Sequence, residues 1–171
     1  MAIETINWPT KLTLLAAGVR DGTYSVAKLC RQFWPGVYLD IHQRDMIRSI
    51  LIGLDGGLQE LAIKGCTGSG KGCSIGMALN ICFELCDAIK VTVTSVTWER
   101  AVNISFAEIV KWRKAMRFPH NSDISTTQIK CNEEKWMRVV NPDTDEGFSG
   151  IHGENVIFWF DEASAIKGTF W

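Results

Sequence analysis

A run of ten residues, GCTGSGKGCS at positions 65–74, constrains the fold more than any other stretch of this sequence. Its Gly65, Gly70 and Lys71 fit the pattern G-x-x-x-x-G-K, in which backbone N–H groups wrap a phosphate and the lysine reaches its outer oxygens. The apolar ELAIK before the loop predicts a buried strand, and KGCSIGMALNICFELC after it predicts a helix. The start of that helix presents about half a positive charge to an anion. This order predicts a nucleotide-phosphate site in an α/β fold.

The loop departs from the full pattern at one position. The residue after the lysine is usually Ser or Thr, whose hydroxyl binds Mg²⁺, and here it is Gly72. Because Mg²⁺ keeps several waters in most sites, one more water can replace the hydroxyl, and we expect weaker metal affinity or slow turnover. Thr67 and Ser74 carry hydroxyls in the wrong register for this role. The predicted nucleotide-binding residues of the loop are Gly65, Cys66, Thr67, Gly68, Ser69, Gly70, Lys71, Gly72 and Cys73.

Two alternatives remain open for the loop. The first alternative is a glycine-rich turn between two elements with a solvated lysine, and the second is a loop that binds nucleotide without hydrolysing it.

A second motif, the acidic VIFWFDEA at residues 156–163, favours a catalytic site. Five apolar residues predict a central strand covered on both faces, and Asp161 and Glu162 follow it. Parallel strands bring such residues to the edge of the sheet where α/β proteins bind ligands. The alternative for this pair is an acidic helix cap.

The predicted roles follow from the chemistry of phosphoryl transfer, which needs positioning and charge neutralisation. Asp161 is the predicted metal ligand, Glu162 the catalytic residue that polarises the attacking water, and Lys71 the catalytic residue on the outer phosphates. Strand and helix patterns alternate along the chain: KVTVTSV predicts a strand, TWERAVNISFAEIVKWRKAM a long amphipathic helix, and STTQIKC with KWMRVV two strands around a turn. Together they predict an α/β fold with a largely parallel sheet.

Composition excludes several classes of protein. The 171 residues suffice for one domain, and a net charge of −1 gives no global basic field for nucleic acid. No apolar run reaches the length of a membrane span, and the first residues lack the pattern of a signal peptide. The six cysteines contain no C-x-x-C pair, so a reduced, cytosolic protein without structural zinc is expected.

Four stretches of the sequence resemble the N-terminal ATPase domain of the large terminase subunit of tailed bacteriophages. They are LDIHQRDMIRSI, IKGCTGSGKG, SVTWERAVNISFAEIVKWRK and GFSGIHGENVIFWFDEASAI. The resemblance implies a P-loop NTPase of the ASCE or RecA-like kind, a three-layer sandwich with a largely parallel central sheet. The patterns PTKLTLLAAGV and TYSVAKLCRQFW predict helices at residues 9–19 and 23–34 in an N-terminal helical segment at residues 1–38, and the resemblance implies an ATPase core at residues 39–171. In the first stretch, Gln43 matches the glutamine with which the family recognises adenine. The residues alone are equally consistent with a solvated glutamine on the surface of a helix.

The resemblance implies an ATP hydrolase that uses ATP and Mg²⁺ to drive double-stranded DNA into a procapsid. Its implied partners are viral DNA, the small terminase subunit, the portal and further copies in a ring, with no membrane, in the cytoplasm of the infected host. The family continues with a coupling motif and a nuclease domain, whereas this sequence ends at Trp171. The implied core is therefore incomplete at its C-terminus.

Two other functions stay open at this stage. A helicase of the Asp-Glu-Ala-x type shares the upstream glutamine, the loop and the acidic pair, but needs a second similar domain. An assembly module binds nucleotide with little turnover, which Gly72 favours. The sequence does not show which arginine would stabilise the phosphate during its transfer. The candidates are Arg44, Arg48, Arg100 and Arg138. A basic cluster at the end of the long helix complements the helix dipole or contacts DNA backbone, and its members are Lys111, Arg113, Lys114 and Arg117.

Overall fold

The structure, a computed structural model, describes residues 17–55, 60–65, 68–117, 121–141 and 150–165. The chain divides into two compact units. The first unit contains residues 1–87 and 112–119, and the second contains residues 88–111 and 120–171. The glycine loop belongs to the first unit and the acidic pair to the second, and each unit is described separately below.

The first unit is helical. Helix α1 spans Val26–Phe33, α2 spans Ile41–Asp55 and α3 spans Lys71–Leu85, while residues 17–21 form a further helical turn. Helix α1 ends just before Pro35, as expected because the residue preceding a proline disfavours helical geometry. Helix α3 agrees with its prediction, and the described helix α1 is shorter than the predicted residues 23–34. The predicted helix at residues 9–19 lies mostly outside the described residues.

The core of the first unit forms between these helices and the end of the long helix that follows. Helices α2 and α3 pack against each other, and Ile47 and Leu51 of α2 are fully buried. Trp34 is 2% exposed and its Nε1 donates a hydrogen bond of 2.7 Å to the carbonyl oxygen of Trp112. Helix α3 is buried on nearly all sides in its middle, which explains why its sequence shows little amphipathic pattern.

The second unit contains a five-stranded mixed sheet. In its parallel centre, the first strand of the chain pairs with one neighbour on each side. An antiparallel hairpin extends the sheet on one of these sides. The strand order is β2-β3-β4-β1-β5. The strands are β1 (Ile89–Thr94), β2 (Asp123–Ile124), β3 (Gln128–Asn132), β4 (Lys135–Val139) and β5 (Val156–Phe160). The described chain is therefore α/β, as predicted, and the predicted hairpin around Asn132-Glu133-Glu134 is confirmed.

A long helix, α4, follows β1, as the amphipathic pattern predicts. It consists of an α-helical turn Trp98–Arg100, a π-helical stretch Ala101–Phe106 and an α-helical part Ala107–Lys114. Thr97 caps the helix, because its hydroxyl accepts a hydrogen bond of 3.2 Å from the Arg100 N–H. Its predicted apolar side is buried at Ala101, Phe106 and Ile109. The π-helical stretch was not predicted.

Two strand predictions are wrong. Residues 60–65 form no strand, and Leu61 is 45% exposed, so ELAIK is neither a strand nor buried. VIFWF does form β5, but within the described residues it pairs with β1 alone and lies at the end of the strand order rather than at its centre. Trp159 is buried whereas Phe158 is 41% exposed, so one face of β5 is not covered. A strand needs a neighbour to satisfy its backbone groups, and local composition does not supply one.

Two further observations concern the predicted class of protein. Across the described helices, none combines the length and the apolar character that crossing a bilayer requires. No disulfide joins the cysteines of the described ranges, which are Cys30, Cys73, Cys82, Cys86 and Cys131.

Candidate functional site

The glycine loop turns into helix α3 through two left-handed glycines. Gly68 has φ +82° and Gly70 has φ +76°, a region that favours glycine because a Cβ would clash there. Gly70 is the residue that precedes α3, and no described side chain caps that end of the helix. The first N–H groups of a helix have no partner within the helix, so those of α3 take acceptors from outside the helix. This is the local geometry that anion-binding loops use.

The side chain of Lys71 folds back over the loop. Its Nζ donates a hydrogen bond to the carbonyl oxygen of Gly65, at the start of the loop. A Cβ added at Gly65 would lie 3.0 Å from Ser69 Oγ and 3.3 Å from Lys71 Cδ, so the loop closes tightly on itself. Ser69 Oγ is buried and has no hydrogen-bond partner among the described residues. The loop therefore holds an ammonium group and an unsatisfied hydroxyl at one place, which suits an anionic oxygen ligand.

Gln43 contacts the same loop from helix α2. Its side-chain Oε1 accepts a hydrogen bond of 3.0 Å from the backbone N–H of Asp40. Its backbone N–H donates a hydrogen bond of 2.8 Å to Asp40 Oδ1. These reciprocal bonds form a capping box at the start of α2. The amide nitrogen of Gln43 faces the loop, since a Cβ added at Gly70 would lie 2.3 Å from Nε2. Donation from Gln43 Nε2 to a ligand at the loop would leave the hydrogen bond from the Asp40 N–H to Oε1 intact.

A cavity of about 470 Å³ lies beside the loop, between α2 and the segment that precedes the loop. Its wall from α2 combines polar and apolar side chains, and Ser69 and Gly65 form the end nearest the loop. The volume falls within the range of small-molecule sites. The remaining lining residues are His42, Asp45, Met46, Ser49, Leu61, Ala62, Ile63 and Lys64.

In the second unit, Asp161 is fixed at the end of β5. Its N–H continues the strand ladder by donating to the carbonyl oxygen of Thr94 at 2.9 Å. Its carboxylate Oδ2 accepts a hydrogen bond of 2.6 Å from Ser105 Oγ, and Ser105 is 2% exposed in the π-helical stretch of α4. Asp161 is thus held by the strand ladder through its N–H and by a buried hydroxyl through its carboxylate.

Glu162 has a different environment from its neighbour. It is the single non-glycine residue with positive φ, at 56°, in the described part of the chain. Its Oε1 accepts a hydrogen bond from Arg100, and both side chains are nearly half exposed. Of the four arginine candidates, Arg100 is therefore the one that contacts a predicted catalytic residue. Backbone conformations of this kind cluster at functional sites.

The donors around Asp161 suit Mg²⁺, which prefers oxygen ligands and retains several waters. Thr94 Oγ1 and Ser95 Oγ are buried at the end of β1 and have no hydrogen-bond partner within the described ranges. Asp161 is the one carboxylate in this set. The described residues contain no group of three or more His, Cys, Asp or Glu that could hold a metal by themselves. A cation here would therefore depend on Asp161, on waters and on oxygens from a bound phosphate.

Several predicted residues contribute less than the sequence suggests, or are not described. Cys66 and Thr67 lie outside the described residues. Gly72 and Cys73 lie in the first turn of α3, next to the loop. Ser74 is fully buried and its hydroxyl donates to the Gly70 carbonyl oxygen at 3.0 Å, so it does not replace the hydroxyl that Gly72 lacks.

The basic cluster at the end of α4 is not a continuous charged surface. Arg113 is 3% exposed, pairs with Glu84 and stacks over Phe83 at 5.0 Å from the ring centroid. Lys111 pairs with Glu108 at 3.0 Å. Arg113 is therefore wrong as a candidate DNA contact, because an interior carboxylate and a ring satisfy its charge.

Comparison of the chain with protein-family models, with curated proteins and with solved structures finds no match. Any function assigned to this chain therefore depends on its own residues and their geometry. Sequence reasoning missed Ser105 and the pairing role of Arg100, although both lie in the stretch TWERAVNISF that follows β1. A buried serine in an otherwise apolar helix face was the available signal for Ser105.

Proposed function

We propose that this chain binds ATP at the glycine loop and hydrolyses it as the ATPase subunit of a viral DNA-packaging motor. The observation that carries the proposal is the conformation of the loop at the start of α3. Left-handed Gly68 and Gly70 lead to a helix end without a described side-chain cap, and the Lys71 ammonium already lies over the loop backbone. A phosphate would exchange the Gly65 carbonyl for a charged acceptor, a stronger partner for the same amine.

The proposal gives each residue a role within its own unit. In the first unit, the backbone N–H groups of the loop and of the first turn of α3 bind phosphate oxygens. Lys71 neutralises charge on the outer phosphates, and Gln43 contacts the base through Nε2. The cavity of about 470 Å³ beside the loop offers the volume that a base needs.

In the second unit, the proposal assigns Asp161 to Mg²⁺ and Glu162 to the attacking water. When bound, Mg²⁺ neutralises charge on the phosphates and orients them. Ser105 holds the Asp161 carboxylate in place. Glu162 orients water with the oxygen that Arg100 does not hold, so displacement of Arg100 would increase its capacity as an acceptor.

The finer fold belongs to the same proposal. A P-loop NTPase of three layers, with helices on both sides of the sheet, agrees with strand β1 preceding α4 and with an acidic pair at the end of a parallel strand. The coupling to double-stranded DNA, the small terminase subunit, the portal and a ring of subunits rests on the resemblance of the four sequence stretches.

A titration with a fluorescent ATP analogue, with and without Mg²⁺, tests the binding step. We expect micromolar affinity in the unaltered chain and a loss of at least about tenfold in Lys71→Ala, because a charge-assisted bond to phosphate is removed. Lys28→Ala is the matched control, since Lys28 is an exposed lysine of α1 in the same unit. Equal affinities in all three proteins would contradict the proposed site.

The second candidate is a nucleotide-binding assembly module with little turnover. The engagement of Glu162 by Arg100, together with Gly72 in the loop, favours it. Measuring phosphate release with and without double-stranded DNA separates the two. A motor subunit is expected to hydrolyse ATP faster with duplex DNA, and an assembly module is expected to bind nucleotide without release. Stimulation by single strands alone would instead favour a helicase.

A further inference from the structure

Helix α4 delivers a buried hydroxyl to the predicted metal residue through an unusual helical geometry. In the π-helical stretch Ala101–Phe106, backbone hydrogen bonds join residues five apart. Such segments are rare in proteins, and those that occur often lie at functional sites. Ala101 and Phe106, five residues apart, are both fully buried, and Ser105 beside Phe106 is 2% exposed. The widened turn thus directs a serine toward the end of β5, where its Oγ lies 2.6 Å from Asp161 Oδ2.

Two more hydroxyls lie at the same edge of the sheet. Thr94, the last residue of β1, accepts the Asp161 N–H through its carbonyl oxygen, so its backbone is adjacent to Asp161. The side chains of Thr94 and Ser95 are 0% and 1% exposed, and their hydroxyls have no hydrogen-bond partner among the described residues. A buried hydroxyl without a partner is unfavourable unless a water or an ion completes its bonds.

We propose that Ser105 is a positioning residue for a divalent-cation site at the ends of β1 and β5. Its hydroxyl holds Oδ2 of Asp161 and leaves Oδ1 to the cation, while the hydroxyl of Ser95 binds a water of the cation. Neighbouring strand residues point to opposite faces and Thr94 is paired with Phe160, so Ser95 faces the side of Asp161. The inference rests on the proposed function in one respect, the assignment of the metal to Asp161. Partners that orient a metal-binding carboxylate typically contribute 10- to 100-fold to metal affinity.

A purely structural role for these residues makes a different prediction. If the bond between Ser105 and Asp161 only joined α4 to the sheet, its removal would lower stability without a specific effect on metal binding. If the hydroxyl of Ser95 were simply unsatisfied, replacing Ser95 with alanine would raise stability and change nothing else.

Titration of the full chain with Mn²⁺ tests the proposal in the absence of nucleotide. Binding is measured as the loss of the EPR signal of the free ion. We expect Asp161→Asn to abolish binding and Ser105→Ala to weaken it about tenfold or more. Asn103→Ala is the matched control, because Asn103 is an exposed residue of the same π-helical stretch. Urea unfolding of each variant, monitored by circular dichroism, shows that the altered chains remain folded.

A second variant, Ser95→Ala, makes the test independent of any distortion in α4. We expect it to increase resistance to urea and to weaken Mn²⁺ binding. Mn²⁺ affinity that is unchanged in both Ser105→Ala and Ser95→Ala, but lost in Asp161→Asn, would overturn the inference and leave the metal role of Asp161 intact. Affinity unchanged in Asp161→Asn would overturn both, while the titration with Lys71→Ala judges the loop separately.

Discussion

The segment ELAIK before the glycine loop and the segment VIFWF before Asp161 were both predicted to be strands, but their structures differ. Among the described residues, 60–64 form no strand, and Leu61 is 45% exposed. Residues Val156–Phe160 are hydrogen-bonded to β1 along their length, and Trp159 is 9% exposed. The loop therefore takes its geometry from left-handed glycines, Lys71 and the helix that follows, whereas Asp161 takes its position from a sheet.

The two regions that the sequence predicts to be functional therefore rest on two kinds of support. A loop shaped by backbone conformation tolerates an irregular segment before it, because its N–H groups are oriented by the helix. A single carboxylate is different, since its direction must be fixed by neighbours such as Ser105. Substitutions before the loop and before Asp161 should therefore differ in their cost.

The largest expected effect separates the two supporting segments by stability. Trp159→Ala in β5 should lower the free energy of unfolding by about 3–5 kcal/mol, because a large buried side chain leaves a cavity. Leu61→Ala should cost about 0.5 kcal/mol, since nearly half of that side chain is in solvent. Urea unfolding measures both. Similar costs would mean that residues 60–64 are packed as firmly as β5.

The next effect concerns the loop itself. Gly70→Ala should cost about 2–3 kcal/mol, because alanine disfavours φ +76° and its Cβ would displace Gln43 from the capping box. Gly68→Ala, the control, should cost about 1 kcal/mol, because φ is also positive but a Cβ there meets no atom within 4 Å.

A double-mutant cycle sharpens that prediction. In a Gln43→Ala background the Gly70→Ala substitution should cost about 1 kcal/mol less, because the side chain it displaces is gone. Additive costs in urea unfolding would mean that Gln43 does not contact Gly70 in solution.

A smaller effect distinguishes the units by pH. Burial first, and the nearby Cys73 thiol second, raise the pKa of Cys30 in the first unit from 9.0 to about 12. Since the unfolded chain ionises near pH 9 while the folded thiol stays protonated, this contribution to stability is present below pH 9 and is lost as pH rises toward 12. Unfolding at pH 10 should therefore cost about 1 kcal/mol less than at pH 8 because of this thiol.

Cys30→Ala isolates that contribution from other groups that ionise in alkali. The variant should show a shallower loss of stability between pH 8 and pH 10 than the unaltered chain. Cys131→Ser is the control in the second unit, because Cys131 is only partly buried. An unchanged pH dependence in Cys30→Ala would mean that the thiol is hydrated in the folded chain.

Most elements could be predicted because their signals are local. The apolar run of α3, the β-branched KVTVTS of β1 and the hairpin around Asn132-Glu133-Glu134 each match a pattern within a few residues. The errors concern pairing. Among the described residues, ELAIK forms no strand, and VIFWF pairs with β1 alone although its composition is typical of a central strand. Which strands meet depends on distant parts of the chain.

The site divides in the same way. The pattern around Gly70 and Lys71 predicted a loop followed by a helix, and that geometry is observed. The contact of Ser105 with Asp161 joins residues 56 apart and depends on a π-helical turn that no propensity indicates. The pairing of Arg100 with Glu162 is equally distant in sequence. Contacts of this kind follow from the tertiary structure alone.

The most direct test of the proposed nucleotide site is amide hydrogen exchange of the unaltered chain, measured by mass spectrometry with and without ATP and Mg²⁺. Binding at the loop predicts slower exchange in residues 68–76, because a phosphate would accept hydrogen bonds from N–H groups at the start of α3. Helix α1, at Val26–Phe33, should exchange at the same rate in both states. Exchange in residues 68–76 that ATP leaves unchanged, at concentrations that saturate any binding, would contradict the account.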